Sequence, residues 1–478
     1  MLEQQRNRKE LMVMLETLIN SLSDLLYTYI LVILLLAVGL YFTLRSRFVQ
    51  VRLFKEAFRS LREKSDGTGV SSAQALLIST ASRVGTGNIT GVSVAICLGG
   101  VGAVFWMWVV AFLGGASAFV ESTLAQIYKV KDGKDGSRGG PAYYIEHVAG
   151  SRGLAIAFSV CLLLTYMVGF NLVASYNLAD SFAGYSFLNN RFVVILSTVV
   201  ALATAVCIFG GGKRLAKVTG VLVPVMGGAY VLVALVMILL HAKLLPSVLA
   251  AIVRNAFDFR AIFGGFTGSA MMYGIKRGLF SNEAGVGSAP NAAAAAMVSH
   301  PVKQGLAQML SVFLDTLVIC SATAFLCLCS GVEPSEALKG VPYVQAAMAG
   351  TFGGFGNWFI TVIVVLFAFT TILGNYYYCE SNFQYLLRRD AKTWEMMLFR
   401  FVAAVIVFFG AQLSFDTVWA AADVTMGFMA LINLPVIVYL SKPAMDALRD
   451  YTAQVKEGKD PVFKASSIGL EGKTEFWK

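Results

Sequence analysis

The stretch SRVGTGNITG, residues 82–91, lies inside a run (74–98) that otherwise reads as a membrane-spanning helix. Gly85, Thr86, Gly87 and Asn88 stand where hydrocarbon should surround the chain. Backbone that leaves a helix at that depth exposes amide and carbonyl groups, each costing several kcal/mol unless something satisfies it. A break there reads as a site, and the rest of the chain must say what it holds.

Composition sets the class. Of 478 residues, 57% are hydrophobic and only 14% charged, which is the balance of a polytopic membrane protein. The net charge of +10 does not point to nucleic acid, because most Lys and Arg fall in short segments between apolar runs. Six of the seven cysteines (Cys97, Cys161, Cys207, Cys320, Cys327 and Cys329) sit in apolar runs and read as small buried hydrophobes. The chain has no C-x-x-C pair, and its histidines stand far apart, so neither a zinc site nor a disulfide framework is expected. The opening EQQRNRKE (3–10) does not read as a cleaved signal.

Apolar runs near 25–44, 74–98, 101–128, 153–183, 191–211, 217–241, 261–298, 303–331, 355–387, 394–412 and 416–441 give about eleven spans. A short amphipathic loop precedes the 261–298 run. Every second loop is basic, beginning with Arg45, Arg47, Arg52, Lys55, Arg59, Arg62 and Lys64. Lys129, Lys131, Lys134 and Arg138 follow, then Lys213, Arg214 and Lys217, Lys303, Arg388, Arg389 and Lys392, and the tail from Lys442. The positive-inside rule therefore predicts the N-terminus outside and the C-terminus in the cytoplasm of a multi-pass plasma-membrane protein.

The 261–298 run is about twice the length a bilayer needs. Its centre, RGLFSNEAGVGSAP (277–290), is dense in helix breakers, and Pro290 suits the first turn of a new helix that NAAAAAMVSH continues. With the first helix set aside, the interrupted spans are the first and sixth of ten, so matching breaks fall in two halves of opposite topology. That pattern points to a secondary-transporter site at the membrane midplane. The expected fold is all-α, a leucine-transporter-type 5+5 inverted repeat with one extra N-terminal helix. Its parts are 1–66, a first repeat 67–245, a second repeat 246–441 and a cytoplasmic tail 442–478.

At such breaks, free helix N-termini suit a carboxylate, while unwound carbonyls suit a cation. The glycines allow close approach, Thr86 adds a hydroxyl, and Asn88 an amide oxygen of the hard type sodium prefers. No Gly-Lys-Ser/Thr follows, which excludes a P-loop. Asp315, in LSVFLDTLVICSATA, is a carboxylate deep in a span; its expected partner is a cation or Arg83. Thr370 and Thr371 share one turn, although threonine hydroxyls often bond their own helix at i−4. Asn375 lies one turn beyond Thr371 on the same face. A channel would show a repeated filter or charged rings, and a membrane enzyme a cluster of His, Cys or acids; the chain has neither.

These residues also carry a resemblance. GLYFTLRSRFVQVRLF (39–54), GTGNITGVSVAICLGGVGAVFWMW (85–108), RGGPAYYIEHV (138–148), RGLFSNEAGVGSAP (277–290), HPVKQGLAQMLSVFLDT (300–316) and SKPAMDALRDYTAQVKEGKDPVF (441–463) resemble, in order, the alanine or glycine:cation symporters, or sodium:alanine symporter family. The resemblance implies sodium-coupled uptake of a small neutral amino acid. It implies one cation region of Asn88, Ser281 and Asp315 and another of the Val84 carbonyl, Thr370 and Thr371. It also implies a substrate carboxylate on Thr86 and Gly87, with Phe280 as an apolar wall. Two departures bear on the pocket: Ala174, in GFNLVASYN, replaces a common glutamine, and Asn375 a common tryptophan. They leave a larger or more polar amino acid as an alternative substrate; separately, a proton in place of sodium stays open as the coupling ion. Arg83 either supplies fixed charge beside the cation path or pairs with Glu283 or Asp315. The expected partners are the amino acid and membrane lipid, with no motif for a protein partner.

Overall fold

The apolar runs become helices at nearly the expected residues. A computed structural model describes residues 14, 17–63, 69–133, 136–257 and 269–477, excepting the side chains of 212, 213 and 216. Leaving aside shorter connecting helices such as Pro141–Ala149 and Val341–Phe352, the helices in chain order are α1 (Thr17–Arg45), the pieces α2 (Ser72–Arg83) and α3 (Val92–Gly99), α4 (Ala103–Ile127), α5 (Arg152–Asp180), α6 (Asn190–Ile208) and α7 (Gly211–Leu240). The pieces α8 (Ala270–Asn282) and α9 (Pro290–Ala295) follow, then α10 (Pro301–Leu328), α11 (Gly354–Leu387), α12 (Thr393–Gly410), α13 (Phe415–Tyr439) and α14 (Ser441–Lys456). Nine helices among the described residues are long and apolar enough to cross a membrane, and the two interrupted runs come in addition. The expected amphipathic loop is a helix, Leu245–Ala256. The stretch 3–10, the start of the second interrupted run (261–268), Lys64 and Lys134 lie outside the described residues, as does the Lys213 side chain.

Helix α2 starts at a reciprocal cap: Ser71 Oγ accepts from Gln74 N–H (3.2 Å), and Gln74 Oε1 from Ser71 N–H (2.9 Å). The first break is shorter than its glycines suggest. Only Val84 (φ −74°, ψ 89°) and Gly85 leave helical geometry, and Gly87–Gly91 already winds as a π-turn. Asn88 explains the early return. Its Oδ1 accepts from Gly85 N–H at 2.8 Å and its own N–H donates to Gly85 O at 3.2 Å, satisfying backbone that lipid could not.

The second break is longer. Glu283 (φ 53°), Gly285 (φ 83°) and Gly287 (φ 93°) take left-handed backbone before Pro290 opens α9. Helix α9 does not continue to residue 300; it ends at Ala295. Met297 N–H instead donates to Val70 O (2.8 Å), and the Ala296 carbonyl accepts from Gln126 Nε2 and Lys129 Nζ, both at 2.8 Å. Ser137 Oγ takes the Ala294 carbonyl (2.8 Å). Distant side chains thus terminate this helix by satisfying its last carbonyls.

Several of the basic segments are tied to one another or to the tail. Lys303 Nζ reaches Glu63 (3.1 Å) and Asp460 (2.8 Å), Arg45 donates to Ser441 Oγ (2.6 Å), and Arg388 pairs with Glu146. Residues 442–477 are not a loose extension. Beyond α14, Phe463 N–H donates to Ser299 O (2.9 Å) and Trp477 Nε1–H to Gln126 O (2.7 Å), while the Lys129 ammonium lies 4.0 Å from the Phe476 ring centre.

His300 joins this tail to α10. Its Nδ1 accepts from Val302 N–H (3.2 Å), so its Nε2–H donates to Asp450 (3.2 Å), and its ring lies edge-on to Tyr451 and Phe463. That pattern requires the neutral ring, and burial accordingly pushes its pKa down to about 4. The folded state then binds fewer protons than the unfolded state between the folded value and the ordinary one of about 6.5, so stability rises with pH there and is lost on acidification. We expect up to about 3 kcal/mol of pH-dependent stability from this ring. Thermal unfolding of detergent-solubilised protein should show a loss on acidification across that window that His300→Gln largely lacks. Parallel curves would disprove the assignment.

Candidate functional site

The two breaks and α10 enclose a fully buried polar cluster. Asn88 Nδ2 donates to Asp315 Oδ1 (2.7 Å) and Ser281 Oγ (3.0 Å), and Ser281 Oγ donates to Asp315 Oδ2 (2.8 Å). Thr316 Oγ1 adds a third bond to Asp315, at 2.9 Å. Asp315 enters no ion pair with a described residue. The Leu314–Cys320 segment is π-wound, and its neighbour Thr323 donates to the Asn88 carbonyl (2.7 Å), fixing α10 against the first break. The structure therefore brings Asn88, Ser281 and Asp315 together, but with the amide nitrogen of Asn88, not its oxygen, toward the carboxylate.

The second expected region divides. A Cβ built on Gly85 would lie 1.9 Å from Thr371 Oγ1, so only glycine lets α11 approach the break beside Val84. Thr371 Oγ1 is buried with no hydrogen-bond partner among the described residues. Thr370 points elsewhere, donating to Leu366 O (3.0 Å) and Phe367 O (3.1 Å) of its own helix.

Between these regions lies a cavity of about 10 Å³ lined by Ser82, Arg83, Gly85, Thr86, Gly87, Phe170, Phe280 and Thr371. That is room for about one water, so an amino acid enters only if the wall moves. Phe280 closes it: a Cβ on Gly87 would meet its ring at 3.1 Å, and the ring packs against Phe170 (4.4 Å) and Trp419 (4.6 Å). Asn375 stands one bond behind this wall. Its Oδ1 accepts from Ser82 Oγ (2.7 Å), and its Nδ2 donates to Asn171 Oδ1 (2.9 Å). Ala174 does not reach the cavity; it is buried among Leu178, Ala368, Ile372 and Val407.

Arg83 pairs with neither Glu283 nor Asp315. It is buried and donates to Gln308 O (3.3 Å) and Oε1 (3.4 Å), leaving Nε and Nη2 without partners among the described residues. Glu283 instead accepts from Ser288 Oγ (2.7 Å) and shares with Asn375 the single proton of Ser82 Oγ, 3.0 Å away. Above Phe280, Asp423 takes Arg277 (2.5 Å) and Lys276 (2.9 Å), and Arg277 stacks on Trp419 (4.6 Å). Phe170, Ser82, Trp419 and Asp423 were not singled out from sequence. Asp423 and Glu121 are mid-span carboxylates, and the reasoning that flagged Asp315 applies equally to them.

The profile of the sodium:alanine symporter family matches residues 12–465. The chain belongs to the sodium:alanine symporter family. It is 48% identical to the amino-acid carrier protein AlsT of Bacillus subtilis over 97% of each chain. It is 45% identical to the probable sodium/glutamine symporter GlnT of the same organism, over 97% of this chain and 96% of that one. Among solved structures, a manganese transporter of Eremococcus coleocola superposes with a TM-score of 0.53 at 12% identity, covering 86% of each chain. That likeness shows the fold, a leucine-transporter-like bundle. Members of this family are sodium- or proton-coupled amino-acid symporters, not enzymes, and this chain is a multi-pass membrane symporter of that kind.

Proposed function

We propose that the protein imports a small neutral amino acid, alanine or glycine, driven by sodium, with its N-terminus outside and its basic face in the cytoplasm. The observation that carries the sodium reading is Asp315, a buried carboxylate ringed by hydroxyl and amide groups with no basic partner among the described residues. A hard, oxygen-preferring cation neutralises such a group. In this reading the first ion lies among Asn88, Ser281 and Asp315. A second lies by the Val84 carbonyl and Thr371, with Thr370 joining only after its hydroxyl turns from its own helix. The substrate carboxylate lies on Thr86 and Gly87 against Phe280.

Asn88 supplies a physical link between ion and substrate. Its Oδ1 now accepts from Gly85 N–H, and its Nδ2 faces Asp315. A cation at Asp315 repels the amide NH2 and draws the oxygen, so the side chain turns over and frees Gly85 N–H at the cavity wall. That donor then serves the substrate carboxylate, and each ligand raises the affinity of the other by the same factor.

Ser82 at the wall, backed by Asn375 and Asn171, favours one second reading, an amino acid with a polar side chain such as glutamine. Uptake of labelled alanine into proteoliposomes, under a sodium gradient with a potassium control and unlabelled competitors, separates the two. Sodium-driven uptake displaced by glutamine but not alanine moves the substrate; uptake indifferent to sodium overturns the coupling. Truncating the lid by Phe280→Ala should raise the KM for alanine about tenfold and admit larger competitors, given the 1–3 kcal/mol a pocket contact contributes. An unchanged KM would place the substrate elsewhere.

A further inference from the structure

The basic face holds another polar cavity, which shares no lining residue with the candidate transport site. It is a cleft of about 350 Å³ between the turn that follows α1 and helix α14. Arg45, Arg47, Arg52, Arg449 and Lys456 line it, over a floor that includes Met445 and Leu448. Five cations converge here, yet among the described residues only Arg449 has a carboxylate partner, Asp446 at 2.9 Å. Arg45 is held by Ser441 Oγ (2.6 Å) and Arg52 by the Ser46 carbonyl (3.2 Å), so two guanidinium groups are positioned by neutral acceptors that leave their charge unspent. Like charges gathered in this way repel unless an anion sits among them.

The local backbone is built to this shape. Arg47 and Phe48 are consecutive non-glycine residues in left-handed conformation, φ 55° and 56°. Such backbone is costly and persists where the surroundings enforce it. It tips Phe48 outward beside exposed Val51, and exposed Leu40 and Leu44 lead up α1 to the same point. The transmembrane helix ends at Arg45, which sets the cleft at headgroup depth with an apolar strip running from it into the hydrocarbon. Guanidinium groups match phosphate oxygens in fork geometry, and basic pockets at this level select anionic headgroups.

We propose that this cleft binds the phosphate headgroup of an anionic phospholipid, whose chains lie along Leu40, Leu44 and Phe48, clamping the peripheral helix α1 to α14. The test is native mass spectrometry of the full-length protein, delipidated and then offered equal amounts of phosphatidylglycerol and phosphatidylcholine. The parent should retain phosphatidylglycerol preferentially. The triple variant Arg47→Gln/Arg52→Gln/Lys456→Gln should lose that retention about a hundredfold, roughly fivefold per basic residue. Arg59→Gln/Arg62→Gln, which removes exposed charge outside the cleft, should keep it. Equal retention by parent and triple variant overturns the proposal. So does a parent that holds both lipids equally, a result that needs no variant to fold. Inorganic phosphate displacing phosphatidylglycerol at comparable concentration would make this a soluble-anion site and overturn the lipid assignment.

Discussion

Asp315→Asn is expected to cut sodium-driven amino-acid uptake by about a hundredfold or more while the protein stays folded, since losing one member of a buried charge pair costs several kcal/mol. What surrounds the carboxylate decides the effect. Asn88 Nδ2, Ser281 Oγ and Thr316 Oγ1 all donate to it between 2.7 and 2.9 Å. An asparagine of the same shape keeps an acceptor oxygen for most of these bonds but brings no negative charge. Stability without ions should therefore hold or rise, because an uncompensated buried charge has been removed. The stabilisation that sodium gives the parent in thermal unfolding should vanish. Uptake and sodium-dependent melting measured on one preparation check both halves. A variant that still takes up amino acid under a sodium gradient, and still melts higher in sodium, would remove Asp315 from the ion path.

Gly85→Ala carries the second large effect, and here the reason is steric. The new methyl group would stand 1.9 Å from Thr371 Oγ1 and 3.1 Å from Thr371 Cβ, with both helices fixed by other contacts. Relief requires α2 and α11 to separate or Thr371 to leave its rotamer, a strain of about 1–3 kcal/mol. Uptake should fall to background, since the break is where ion and substrate meet in the proposed mechanism. Thr371→Ala alone should weaken ion dependence without disturbing the fold. In Gly85→Ala/Thr371→Ala the closest clash is gone, so the thermal stability lost in the glycine variant should largely return, giving a non-additive cycle. Additive losses would mean that the clash is absorbed elsewhere.

The sequence showed the spans and both breaks because hydrophobic length and helix-breaking residues are local signals. It also flagged Asp315 and Asn88, whose polarity is out of place in hydrocarbon. What it missed depends on partners remote along the chain. Helix α9 stops at Ala295 because Gln126, Lys129 and Val70 take the backbone groups beyond it, which nothing in the alanine run announces. Thr370 and Thr371 look equivalent as a pair, yet helical rotation turns one hydroxyl back to its own helix and the other to Gly85. Ala174 was placed by its position in a motif, but that does not fix which neighbour a residue faces, and it packs toward α11 and α12. Of the two roles open to Arg83, fixed charge beside the cation path or a pair with Glu283 or Asp315, the pairing is absent, and the guanidinium meets Gln308.

The placement of Arg83 has an electrical consequence. One guanidinium and three carboxyl groups, those of Glu121, Glu283 and Asp315, are buried together at the heart of the bundle. Charge held at that depth feels the transmembrane voltage, at about 2.3 kcal/mol per elementary charge for each 100 mV. In the proposed cycle, an ion arriving beside Asp315 changes that charge, whereas a zwitterionic amino acid does not. The empty and the loaded carrier therefore reorient against different electrical loads. Voltage then acts as a throttle on one half of the cycle, and a current recorded across the membrane reports which half limits turnover.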